Sequence, residues 1–213
     1  MNSRTQRFRI DGPAGVIECA LDLPDLSDPP ERKPRGLAVV CHPHPQHGGT
    51  FDNKVVQTLA RAFVQLRYRA LRFNFRGVGE SAGSWAEGPG EIDDALAVVS
   101  ACREPGESLV LAGFSFGAYV ATQAAARLAQ SGAASAAERL VLLGAAASRF
   151  DVAVVPADTV VIHGETDDVV PLAAVFDWAR PQSLPVTVIP GAGHFFHGQL
   201  PLLKSLVVGA LRV

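Results

Sequence analysis

Leu109-Val110-Leu111-Ala112-Gly113-Phe114-Ser115-Phe116-Gly117 is the stretch around which the rest of the chain arranges itself. An apolar run suited to a buried strand breaks into Gly-x-Ser-x-Gly, and Ala118, Val120, Ala121 and Ala124 open a helix directly after it. Such a strand–turn–helix elbow lifts one serine hydroxyl at the bend and holds that serine in a strained backbone conformation. The glycines two positions either side are needed because the chain approaches too closely there to admit a Cβ. The five-residue pattern alone recurs by chance. Its position between a strand and a helix is what predicts a nucleophilic serine and acyl chemistry.

Outward from the elbow, strand and helix alternate. Phe8–Ile10 and Val16–Leu23 read as two strands joined by a turn at Asp11-Gly12-Pro13. The segment 24–35 carries four prolines and mixed charge, a surface loop. Strands are predicted over Gly36–Cys41, Ala70–Phe75, Ser108–Gly113, Arg139–Gly144, Thr159–His163 and Val186–Ile189. Apolar residues at 55, 56, 59, 60, 63 and 66 have helical spacing, with Asp52 as a candidate cap. Further helices are predicted over 91–102, from the elbow to about 131, over 172–178 and over 199–211. From residue 36 onward the strands are apolar on both faces. That pattern calls for an α/β architecture, a mostly parallel sheet flanked by helices, with the opening hairpin as an antiparallel edge.

Composition bounds the function. The chain has 213 residues, 48% of them hydrophobic and 19% charged, and a formal net charge of −2 from 19 Lys and Arg against 21 Asp and Glu. It can form one substantial core, so a single domain over 1–213 is expected. No basic run points to nucleic acid. No stretch approaches the roughly 18 apolar residues of a membrane span, and the N-terminus lacks a signal-peptide run. Cys19, Cys41 and Cys102 form no CxxC pair, which predicts reduced thiols and a cytoplasmic location.

In parallel sheets chemistry gathers at the carboxyl edge of the strands. The strand ending at His163 runs into Gly164-Glu165-Thr166-Asp167-Asp168, and the strand ending at Ile189 runs into Pro190-Gly191-Ala192-Gly193-His194. Serine, carboxylate and imidazole therefore follow three different strands at one edge. His194 is the candidate general base for Ser115, with His197 as a rival nearer the closing helix. Asp167 and Asp168 both remain candidates for the acid that orients it.

These segments resemble the α/β-hydrolase superfamily along residues 8–212: Cys41-His-Pro-His-Pro45, Phe73-Asn-Phe-Arg-Gly-Val-Gly-Glu-Ser81, Gly113–Gly117, His163–Pro171 and Gly193-His194. The resemblance implies an eight-stranded sheet with an antiparallel second strand, and the order nucleophile, acid, histidine. The family pattern Gly-x-x-Asp-x-x-Val-Pro assigns the acid to Asp167, leaving Asp168 as a solvated loop residue or a cap. It also implies an oxyanion hole built from the N–H of Phe116 and one N–H of the loop after the third strand. There His42-Pro43 replaces the usual His-Gly, and His44 is the only donor between two prolines.

Other readings attach to the same residues. His42, His44 and His47 invite a metal, but no carboxylate adjoins them and the prolines extend the backbone, so none is expected. Gly77-Val-Gly79-Glu-Ser-Ala82 matches a dinucleotide fingerprint, yet no acidic residue ends a strand about 20 positions later, and no cofactor is expected. Cys41 ends a strand near the site as a packed thiol. Only fourteen residues, 145–158, separate the sixth and seventh strands, too few for a helical cap, so an open site without interfacial activation is expected. The whole reads as a serine hydrolase acting on a small-molecule carboxylic ester. The alternatives are a thioesterase or small-peptide hydrolase with the same triad, or a non-catalytic ligand-binding homologue. Oligomeric state and acyl preference are not legible in the chain.

Overall fold

The computed structural model describes residues 5–25 and 33–212, so most of the proline-rich loop read over 24–35 lies outside the described residues. Strands β1 (Thr5–Gly12) and β2 (Gly15–Asp22) form the opening hairpin, with Gly12 opposite Gly15 and the turn at Pro13-Ala14, slightly later than the sequence suggests. The remaining strands are β3 (Leu37–Cys41), β4 (Arg69–Phe73), β5 (Leu109–Phe114), β6 (Arg139–Leu143), β7 (Val160–Gly164) and β8 (Thr187–Ile189). They join in one sheet of order β1-β2-β4-β3-β5-β6-β7-β8. β2 runs antiparallel to both neighbours, and every pairing from β4 to β8 is parallel.

The central strands are apolar throughout because the sheet is covered on both sides. Successive residues point to opposite faces. Leu109 and Leu111 enter one core beneath α2 (Pro89–Cys102), α3 (Phe116–Gln130) and α4 (Leu172–Ala179). Val110, Ala112 and Phe114 enter the other, beneath α1 (Lys54–Gln65) and α5 (Leu200–Leu211).

Asp52 does not cap α1. The capping side chain is Asn53, whose Oδ1 accepts from the N–H groups of Val55 (2.8 Å) and Val56 (3.4 Å). Asp52 sits one residue too early to reach them, and its carboxylate is taken by Arg7 (3.0 Å) and the buried Arg72 (3.3 Å). Arg72 also donates to Asp22 (2.9 Å) and to the Phe51 carbonyl (2.9 Å), tying the approach to α1 against the sheet.

Residues 144–159, between β6 and β7, contain no helix. Val152 and Val155 are buried in the α3 face of the core, and Trp178 Nε1 donates to the Val152 carbonyl at 3.0 Å. The connection is consumed by packing, and among the described residues no cap covers the strand ends. Among the described residues no helix is long and apolar enough to cross a membrane.

Candidate active site

Ser115 stands between β5 and α3 with φ 57° and ψ −119°, left-handed backbone that a non-glycine residue adopts only under local constraint. The constraint is close packing. A Cβ on Gly113 would lie 2.1 Å from the Gly117 carbonyl oxygen, and one on Gly117 would lie 2.2 Å from that of Cys41. The start of α3 is thereby seated against the end of β3, and the Ser115 N–H is held by the Leu143 carbonyl at 2.9 Å.

Two further loops meet the elbow from β7 and β8. They are stitched together: Thr166 N–H donates to the Ala192 carbonyl (3.0 Å), Glu165 N–H to Ile189 (3.1 Å), and Gly191 N–H to the Glu165 carboxylate (2.8 Å). Gly164 makes room for this crossing, since a Cβ there would sit 2.3 Å from the Ala192 oxygen. Gly144, at φ 52° just past β6, lies under the His194 ring, which also leans on Phe114 with centroids 4.9 Å apart.

The structure brings Ser115, His194 and Asp167 into one hydrogen-bonded line. His194 Nε2 is 3.0 Å from Ser115 Oγ, and Nδ1 is 2.7 Å from Asp167 Oδ2. Asp167 Oδ1 accepts from the N–H groups of Val169 (2.9 Å) and Val170 (2.7 Å). Burial alone would raise the Asp167 carboxyl, but the bonds from His194 and Val170, with the charges of His194 and His163, hold it below the usual range. An ionised carboxylate only accepts, so Nδ1 of His194 carries the proton and Nε2 presents a lone pair to the serine hydroxyl.

The loop after β3 forms the facing wall. His42 is fully buried; its Nδ1 donates to the Pro43 carbonyl (2.6 Å) and its Nε2 accepts from Phe75 N–H (3.1 Å). The next residues turn sharply, with His47 and Gly49 N–H both donating to the His44 carbonyl (3.1 and 3.0 Å). A Cβ at Gly49 would lie 2.0 Å from the Pro43 oxygen, so the turn requires glycine there. Among the described residues the N–H groups of His44 and Phe116 have no intramolecular acceptor, and the two rings lie 5.2 Å apart. The cleft is about 320 Å³, lined by Ser115 and His194 together with Pro43, His44, Arg149 and Phe195 among others.

The remaining sequence candidates lie apart from this line. Asp168 is exposed, and α4 begins after Pro171 without a side-chain cap, so Asp168 does not cap it. His197 is exposed beyond Phe195. Cys41 is fully buried, and burial pushes its thiol far up. The turn at 77–82 is bound to β2: Glu18 accepts from Glu80 N–H (3.0 Å) and Asn74 (2.8 Å), while Ser81 donates to the Asn74 carbonyl (2.7 Å). Among the described residues no group of three His, Cys, Asp or Glu side chains could hold a metal ion.

Sequence reasoning missed His163. At the end of β7 it is fully buried, with Nε2 2.9 Å from the Val170 carbonyl and 3.4 Å from Asp167 Oδ2. A carbonyl only accepts, so Nε2 carries the proton; among the described residues Nδ1 has no partner. A polar ring closing an otherwise apolar strand was the available signal. Arg149 and Phe195 also line the cleft, and no motif in the sequence ties either of them to it.

No family model matches the chain. Its fold and sequence are similar to a solved α/β serine hydrolase without lid from Xanthomonas campestris, with 39% identity and TM-score 0.86 over 100% of this chain and 95% of that one. They are also similar to an α/β serine hydrolase homologue from Coxiella burnetii, with 36% identity and TM-score 0.80 over 97% of each chain. An uncharacterized protein of Rickettsia prowazekii (strain Madrid E) is 38% identical over 117 residues, 54% of this chain. The match spans 47% of that curated relative, about half its length.

Proposed function

The chain belongs to the α/β-hydrolase superfamily, and from that premise we propose that it is a serine hydrolase cleaving carboxylic esters through Ser115, His194 and Asp167. The observation that supports this reading best is the unbroken relay from Ser115 Oγ through His194 to Asp167, at 3.0 and 2.7 Å. In this mechanism Ser115 Oγ attacks the ester carbonyl carbon while His194 Nε2 takes its proton. The oxyanion accepts hydrogen bonds from the N–H groups of His44 and Phe116, the latter at the positive end of α3. Collapse expels the alcohol, protonated by His194, and leaves an acyl-enzyme on Ser115. Water then attacks the acyl carbon with His194 again as base, releasing the acid. Asp167 stays ionised throughout, holding the tautomer and stabilising the imidazolium.

The test is covalent. A fluorophosphonate probe should add its mass to the peptide carrying Ser115, and Ser115→Ala should abolish both labelling and turnover of short-chain esters. Triad losses run near 10⁴ or more, so a Ser115→Ala protein keeping over about a tenth of the wild-type rate overturns the assignment. A panel of esters and thioesters of varied chain length would then define the acyl group.

A further inference from the structure

The cleft in front of Ser115 is lined by two unlike sets of side chains. One is apolar and solvent-facing: Val169 and Phe195 are two of the few large hydrophobic side chains left exposed, at 38% and 44%. The other comprises His44, His47 and Arg149, and none of the described residues lining the cleft is acidic. Asp167, the carboxylate of the relay, is buried behind His194. Arg149 is also unusual within the molecule. Among the described arginines only Arg149 and Arg212 make no side-chain hydrogen bond or ion pair, and Arg212 lies far along the chain at the end of α5. Elsewhere guanidinium groups are paired with care: Arg76 grips Asp94 at 2.7 Å, Arg69 pairs with Glu107, and Arg103 donates to two carbonyls. Burial first, then the charges of His47 and Arg149, push the His44 imidazole below its usual range, which leaves Arg149 as the fixed cation of this set.

We propose that Arg149 is a specificity-determining residue whose free guanidinium receives an anionic group, carboxylate or phosphate, on the ester substrate, whose apolar part lies against Val169 and Phe195. The proposal rests on the ester-hydrolase reading and adds the chemical class of its substrate. A planar fork with unsatisfied donors matches a carboxylate or phosphate in a way an ammonium does not. In an open cleft a neutral ester leaves that charge in water, so only the anion draws on it.

The experiment compares 3-acetoxybenzoate with its uncharged methyl ester, taking the ratio of their kcat/KM values so that intrinsic reactivity cancels between proteins. In Arg149→Gln this ratio should fall about tenfold relative to wild type, the effect of one charge-assisted hydrogen bond. Arg149→Lys should retain part of the ratio, and Arg212→Gln should keep the wild-type value. The wild-type ratio should also decline with added salt, and that decline should be absent in Arg149→Gln. An unchanged ratio in Arg149→Gln, or equal losses on both esters, overturns the proposal while leaving the hydrolase reading in place. If wild type turns over neither ester and a fluorophosphonate does not label Ser115, the hydrolase reading fails. Calorimetry then decides the anion site: 3-hydroxybenzoate binding that is lost in Arg149→Gln sustains it, and no binding refutes it.

Discussion

His42 and His194 are both buried imidazoles at the carboxyl edge of the sheet, and both have two engaged ring nitrogens, yet they are built for opposite ends. His42 gives its Nδ1 proton to a neutral carbonyl, Pro43, and its Nε2 lone pair to the backbone N–H of Phe75. His194 gives its Nδ1 proton to the Asp167 carboxylate and offers Nε2 to a hydroxyl. A carbonyl supplies little to stabilise an imidazolium, and an amide proton does not transfer, so His42 is a brace. Burial lowers it to about 3. His194 has a carboxylate and a hydroxyl in those two places. The partners, not the ring, decide which histidine can act as a base.

The sharpest way to break this contrast is to make the partner of His194 resemble that of His42. Asp167→Asn replaces a carboxylate with an amide that can donate as well as accept, favouring the wrong tautomer. Turnover should fall by about 10⁴. Asp168→Asn, one residue on and exposed, should cost far less under the same steady-state assay. A larger loss at Asp168 would mean that the relay is read one residue out of register.

The brace is tested by stability rather than rate. His42→Phe leaves the buried Phe75 N–H without its acceptor, a loss of about 1–3 kcal/mol by urea unfolding at neutral pH. Its pH dependence has a definite sign. Between the ordinary 6.5 and the folded value of about 3, the unfolded chain binds a proton that folded His42 refuses. The stability associated with neutral His42 is thus present above 6.5 and lost as pH falls toward 3. The gap between wild type and His42→Phe should narrow over that window; a gap that widens would show that His42 is protonated in the folded protein.

What the sequence makes legible here follows from backbone geometry. The central strands are readable because doubly covered strands are apolar throughout, as in Leu109–Phe114. The meeting of Ser115, Asp167 and His194 is readable because parallel strands send their following loops to one edge. Side-chain choices that depend on reach are not. Asp52 and Asn53 are equally good caps on paper, and only the position of Arg72 on β4 shows which carboxylate is already taken. Likewise nothing in the spacing shows that His163 turns under Asp167, or that Arg149 faces the cleft, since both depend on how loops fold back over the strand ends.

His163 sharpens the comparison last, because it lies between the two types. Like His42 it donates to a backbone carbonyl, and like His194 it touches Asp167, though only at 3.4 Å. Burial first of all lowers it, the Val170 carbonyl and Asp167 opposing, so it stays neutral beside that carboxylate. His163→Phe keeps the shape of the ring and removes the N–H beside Asp167 Oδ2, together with the unpartnered Nδ1. Because one unsatisfied atom leaves as one bond is lost, the melting temperature should change little. Relieved of that N–H, Asp167 concentrates more negative charge on His194 and stabilises its protonated form. The acid limb of the kcat/KM profile should therefore move to higher pH. His163→Gln, whose Nε2 amide can occupy the same place, should restore the limb. Loss of stability with an unmoved acid limb would make His163 a packing residue only.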